Sequence, residues 1–376
     1  MNKLFEKLKQ INNVELSYKK WITLTITISL GIVVGAALLA FIVDPLYRYR
    51  KPFFYDIVYY ELYATAPFFL RNYDYDHLML GSSMCRNFFI DDINKTLECN
   101  SFKLAAAGCS AEDLTVFMDI ADKTKGNKLK RITLSLDIYP LNKIKDYYKD
   151  FDYMYRRDIK EEYKYLFSRQ TFSSMFFILK RKLRPKGRRK YQTTKNRMWS
   201  TDYEGKKYGT KEVNYYAAVD SMNHDTQTKY NKEAFYYNFY QKLLPFIDNN
   251  PNISFTIYLP PYHIYAYCLS EEYNEADDLI KQRTIVLKEL LKRKNVELHD
   301  FQADRKYVLT DDYFCDVQHF SYICARKILK DLKADTRKLY TNKDIDSNEQ
   351  DLRKLIKESM PKYYNDINQY KFKKKD

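Results

Sequence analysis

The sequence predicts an α/β protein: a three-layer α/β/α sandwich of about five parallel strands, preceded by one N-terminal transmembrane helix. Three observations carry that expectation. Short apolar runs alternate with amphipathic stretches along most of the 376 residues, the pattern of strands joined by crossover helices. Several of the runs end abruptly at Gly or Pro. Ahead of them, Ile22 to Val43 is 22 residues without a charge, enough to cross a ~30 Å hydrocarbon layer as a helix.

The first 21 residues are read as a cytoplasmic N-terminus and 22–43 as the anchor. A cleaved signal peptide is the rival, with small residues near Gly35 to Ala40, but the run is long for a signal h-region. Lys3, Lys7, Lys9, Lys19 and Lys20 precede the span, and Arg48, Arg50 and Lys51 follow it. That bias puts everything after Asp44 outside the cell, in the plasma (inner) membrane's extracytoplasmic space. Residues 44–76 form an aromatic and basic juxtamembrane segment, suited either to a headgroup interface or to packing on the domain. All six cysteines follow the span. Their pairing is open, with fifteen complete connectivities. No CxxC occurs and nothing has metal-ligand spacing, so no metal and no cofactor is expected.

The strands come in order within a domain over 77–335. "HLML" ends at Gly81, "FKLAAAG" at Gly108, and "RITLSLDIY" is rich in β-formers. "ISFTIYLPP" stops at Pro260 and Pro261, and "VELHDF" is the fifth. Behind Gly108, Ser110 and Asp113 mark a helix start, followed by Leu114, Phe117 and Ile120 at helical spacing. An insertion at about 143–230 contains Lys180 to Lys190, with eight cations in eleven positions. Outside the cell nucleic acid is no partner. An anionic envelope polymer, lipid headgroups or plain solvent are the alternatives. Residues 336–376 read as a charged peripheral helix and tail.

In such sheets ligands bind beyond the carboxyl ends of the strands, where Gly81-Ser82-Ser83 and Gly108 lie. A serine hydroxyl is a poor nucleophile until an oriented base takes its proton. Of the five histidines, His77 begins the first strand, His299 lies within the fifth, and His224 sits in a polar loop. His263 ends the fourth strand, placed to line a cleft. His319 follows the fifth strand, with Asp316 three residues before it, the spacing that lets a carboxylate hold Nδ1 and leave Nε2 for the serine. Read alone, Gly-Ser-Ser is a tight turn with a helix-capping serine. Cys85 is a rival nucleophile, expected to face into the following helix.

Gly81-Ser82-Ser83, Gly108, the βα order and Asp316-x-x-His319 together resemble the SGNH (GDSL-like) hydrolase superfamily, a flavodoxin-like fold, over roughly His77 to Lys330. The resemblance implies Ser83 as nucleophile, Asp316 and His319 as its partners, and the amides of Ser83 and Gly108 as oxyanion hole. With its N-terminal anchor the chain looks like membrane-anchored SGNH proteins of bacterial envelopes, among them the DltD-like and alginate-acetylation-like proteins, which take part in acylating cell-surface polymers. The likeness implies serine O-acyl transfer to a polysaccharide or other envelope polymer, with a multispanning membrane O-acyltransferase as acyl supplier. An esterase, or a non-catalytic scaffold holding an anionic polymer, are the alternatives. Where the family's third block offers an Asn donor, this chain has Asp137, read as binding a substrate hydroxyl or anchoring a loop. Trp199 is the first candidate for stacking on a sugar ring, with a core role equally open.

Overall fold

The computed structural model describes residues 18–59, 61–156, 158–183, 206–224 and 230–371. It forms two compact units, Met1–Asp56 with Arg156–Arg188, and Ile57–Tyr155 with Arg189–Asp376. The expected insertion is therefore divided, its Arg156–Arg188 part belonging with the apolar helix. Trp199 and most of the Lys180 to Lys190 run lie outside the described residues.

Among the described residues a single helix, Tyr18–Val43 in the first unit, is long and apolar enough to cross a membrane. Only Ala40 and Val43 on it are buried. Its end is built by Asp44, which takes a left-handed conformation at φ 46°. The Asp44 carboxylate accepts from the amides of Arg48, Tyr49 and Arg50 and from the Tyr165 hydroxyl at 2.6 Å. The Arg50 guanidinium donates to the carbonyls of Phe41 and Ile42, the orphan acceptors of the last helical turn.

The second unit holds a mixed α/β fold around a six-stranded, mostly parallel sheet. Its strands are β1 His77–Gly81, β2 Ser101–Ala105, β3 Arg131–Ser135, β4 Ser254–Leu259, β5 Val296–Asp300 and β6 Lys338–Leu339. The order is β2-β1-β3-β4-β5-β6. The first five are parallel, and β6 joins β5 antiparallel. β1, β2 and the later part of β3 and β4 are buried along their length. Such continuous burial is what near-continuous apolar strands require.

Over 336–376 the structure has the expected helix, Asn342–Lys371, but departs from the expected peripheral helix and tail in adding β6 and in burying one side of that helix. The helix buries Ile345, Leu352, Leu355, Ile356, Tyr363 and Ile367 against helices Thr210–Asn223, Ile264–Glu272 and Ala276–Leu290. Those six apolar positions are spread through a charge-rich 30 residues, so composition hides a stripe that periodicity contains. All six cysteines are free thiols, five of them buried.

Candidate active site

β1 to β2 runs one way across the sheet and β3 onward runs the other, so the carboxyl ends of β1 and β3 flank the switch point. Ser83 follows β1 and Asp137 follows β3 there. Gly81 ends β1 because nothing larger fits. A Cβ on it would lie 2.7 Å from both Cys85 Sγ and Ser135 Cβ, and 2.9 Å from the Ser135 carbonyl oxygen. Gly81→Ala should therefore part β1 from β3, costing about 1–3 kcal/mol as overpacking. A lower melting temperature together with slower labelling of Ser83 by a serine-directed probe is the expected measurement.

Two serines divide two tasks. Ser82 is the N-cap of the short 3-10 turn Ser83–Cys85, its oxygen accepting from the Met84 amide. It also donates to Asp137 Oδ2 at 2.5 Å. The capping role suggested by Gly-Ser-Ser is thus filled by Ser82, and the half-buried Ser83 points its hydroxyl elsewhere. Ser83 Oγ lies 2.9 Å from His319 Nε2. His319 Nδ1 is 2.8 Å from Asp316 Oδ2.

The pair is held as the spacing requires. Asp316 Oδ1 accepts from the amides of Gln318 and His319, closing a turn that aims its second oxygen at the ring. Burial raises the Asp316 pKa, but hydrogen bonds and charge from His319 and the two amides outweigh it, so the carboxyl titrates below its ordinary value. An ionised Asp316 keeps the proton on Nδ1 and leaves the Nε2 lone pair facing Ser83.

Two further residues brace the segment that follows Ser83. Asn87 Nδ2 donates to the Phe320 carbonyl at 2.6 Å, linking the segment after Ser83 to the residue after His319. Lys103, fully buried on β2, donates to the carbonyls of Arg86 and Phe88, and desolvation lowers its pKa to about 7. Neither role is visible in sequence, because each bond joins segments with no fixed spacing.

Gly108 has φ +69°, a conformation other residues enter only with strain. The Ala106 amide donates to the Gly81 carbonyl at 2.8 Å, tying the end of β2 to the end of β1. Among the described residues the amides of Ser83 and Gly108 make no backbone hydrogen bond.

Asp137 is fully buried. Desolvation raises its pKa from 3.8 to about 6, opposed by the Ser82 hydroxyl and the Tyr139 amide. The unfolded carboxyl ionises through pH 3.8 while the folded one resists until about 6. Burial therefore costs stability as pH rises through that window, and the full cost stands above it. Asp137→Asn removes the ionisation and can still accept from Ser82. We expect it to stabilise the fold by about 3 kcal/mol above pH 6, the gain vanishing below pH 4. Melting temperatures measured from pH 4 to 8 check the sign.

His263 is not a cleft residue. It is buried and caps helix Ile264–Glu272 by accepting at Nδ1 from the Tyr265 amide. Nε2–H therefore donates to Asp311 at 2.9 Å. With its own amide on the Val317 carbonyl, it braces the loop that carries Asp316 and His319. Proline-ended β4 turns the ring inward, which position at a strand end could not reveal. His77 sits between the Ser101 and Thr133 hydroxyls, neutral because burial lowers its pKa to about 3. Burial pushes the Cys85 thiol up to about 12, so it stays protonated and enclosed. Glu297, His299 and Asp335 bring possible ligand atoms within 4.8 Å of one another. Lys338 Nζ already pairs with both carboxylates at 3.1 Å.

No protein-family model matches the chain, and no curated protein and no solved structure matches it either.

Proposed function

We propose that this chain is a membrane-anchored, extracytoplasmic serine acyltransferase of SGNH type, acting on a cell-surface polysaccharide or other envelope polymer. The observation that carries the reading is the unbroken relay Ser83 Oγ, His319 Nε2, His319 Nδ1, Asp316 Oδ2, with contacts of 2.9 and 2.8 Å. The strand order supports it, since 2-1-3-4-5 is the flavodoxin-like order, and a three-layer α/β/α arrangement belongs to the reading. So do the free amides of Ser83 and Gly108, the donors a tetrahedral oxyanion needs.

In this reaction His319 Nε2 takes the Ser83 proton as Oγ attacks the acyl carbonyl carbon. The carbonyl electron pair moves to the oxygen, which the Ser83 and Gly108 amides stabilise. Collapse expels the donor's leaving group, which takes the proton back from His319. An acceptor hydroxyl then gives its proton to Nε2 and attacks the acyl-Ser83 ester, and collapse of the second intermediate breaks the ester bond to Oγ, which takes that proton back from Nε2 and restores Ser83. With water as acceptor the same atoms perform ester hydrolysis, the alternative reading. A non-catalytic scaffold is the outcome if Ser83 proves unreactive.

Acyl-CoA is cytosolic, so an external transferase needs its acyl group delivered across the membrane. A multispanning O-acyltransferase partner would supply it, and the apolar helix would keep this domain beside it. The test compares envelope-polymer O-acylation in a deletion strain complemented with wild-type or Ser83→Ala chain. Equal acylation from both would dismiss the transferase.

A further inference from the structure

The first unit exposes apolar side chains that neither its core nor the proposed chemistry uses. Ile159, Tyr163 and Phe167 are 83%, 61% and 44% exposed. Tyr163 lies on the short helix Glu162–Leu166 and Phe167 caps its end one turn on, its amide donating to the Tyr163 carbonyl, while Ile159 opens the 3-10 turn Ile159–Glu161 just before. Their neighbours on that helix are fixed: Glu162 pairs with Arg48 at 2.7 Å and accepts from Tyr49, while Tyr165 donates to Asp44. Those partners are the first residues after the apolar helix ends at Val43. The stripe therefore lies on the turns packed directly against that helix's exit. Phe53 and Phe176, 70% and 64% exposed, belong to the same unit.

Charge decides the occupant. After Val43, the exposed ionised residues among those described in this unit are Lys51, Arg156, Lys160, Arg169, Lys180 and Lys182, against Asp56 and Asp158. Aromatic rings and cations together at the end of an apolar helix match the headgroup layer, where rings sit at the boundary and cations meet anionic lipid. A protein partner would find the apolar stripe, but the six-to-two excess of cations gives it no particular advantage.

We propose that the Ile159–Tyr163–Phe167 face docks onto the anionic headgroup layer of the bilayer that the Tyr18–Val43 helix enters, making this unit a membrane-seated foot rather than a flexible stalk. The proposal rests on that helix spanning the membrane.

Single-tryptophan reporters test both. In the full chain, Trp199→Phe leaves Trp21 alone to report on the helix. Trp21→Phe with Trp199→Phe, carrying either Tyr163→Trp or Phe167→Trp, reports on the face. Each chain is reconstituted in phosphatidylcholine/phosphatidylglycerol vesicles, with or without acyl chains brominated near the headgroup. The expected result is loss of fluorescence to brominated lipid at both face reporters, comparable with that of Trp21, and protection from acrylamide. Full acrylamide quenching with no effect of brominated lipid places the face in water and overturns the proposal. Protection from both quenchers means a protein covers it, which overturns it equally. If Trp21 itself is unquenched by brominated lipid, the anchor reading falls and takes this one with it.

Discussion

Ser83→Ala is expected to abolish covalent labelling by a fluorophosphonate probe, and His319→Ala to reduce it to near background. Removing the nucleophile or base of a hydroxyl–imidazole relay costs on the order of 10⁶ in turnover, because the pair acts as one unit. Asp316→Asn should cost about 10⁴, leaving the geometry but favouring the wrong imidazole tautomer. The double variant Ser83→Ala/His319→Ala should be scarcely worse than either alone, a non-additivity that independent structural effects would not produce. Labelling that survives Ser83→Ala moves the nucleophile elsewhere. Labelling indifferent to Asp316 and His319 removes the relay, whatever its distances. The Ser82→Ala chain is the internal control. It loses a cap and the Asp137 contact, worth about 1 kcal/mol of stability, but keeps a reactive Ser83.

The largest effect on stability is expected at Arg283. Its side chain and that of Asp300 are both fully buried, paired with each other and bonded to Gln302 and Asn348. The residues come from helix Ala276–Leu290, the end of β5, the turn after it and helix Asn342–Lys371, so one cluster joins three elements. Arg283→Leu leaves the Asp300 carboxylate buried without its cation, a loss of roughly 3–5 kcal/mol. Replacing both, as Arg283→Leu with Asp300→Leu, should recover much of that, since no uncompensated charge remains. Thermal unfolding in detergent followed by protease susceptibility measures both. A double variant as unstable as the single one would show that the hydrogen bonds, not the ion pair, hold the three elements.

Alternation of apolar runs and helical stretches was enough to predict an α/β chain, because strand and helix periods are local properties of side-chain order. The apolar helix was legible for the same reason, as was the Asp316-x-x-His319 turn, whose geometry needs only four consecutive residues. A C-terminal helix was legible too, but the short β6 and the burial of the helix Asn342–Lys371 were not. Two residues carry no period, and six apolar positions among many charges carry little average hydrophobicity. His263 was misplaced because a strand end is open in general and closed here, where Asp311 returns from another segment to meet it.

Ser83 shows where sequence stops. Gly81-Ser82-Ser83 by itself names a capped turn and the residue types for a nucleophile, and it leaves open which serine does which. Chain order put a glycine at the next strand end and an Asp-His pair after the fifth. Only tertiary structure assigned the cap to Ser82, through Met84 and Asp137, and brought His319 across 236 positions to Ser83. Local chemistry is written in residues a turn apart. A contact between distant segments depends on sheet order and on the braces from Asn87, Lys103 and His263, none of which has a spacing to read.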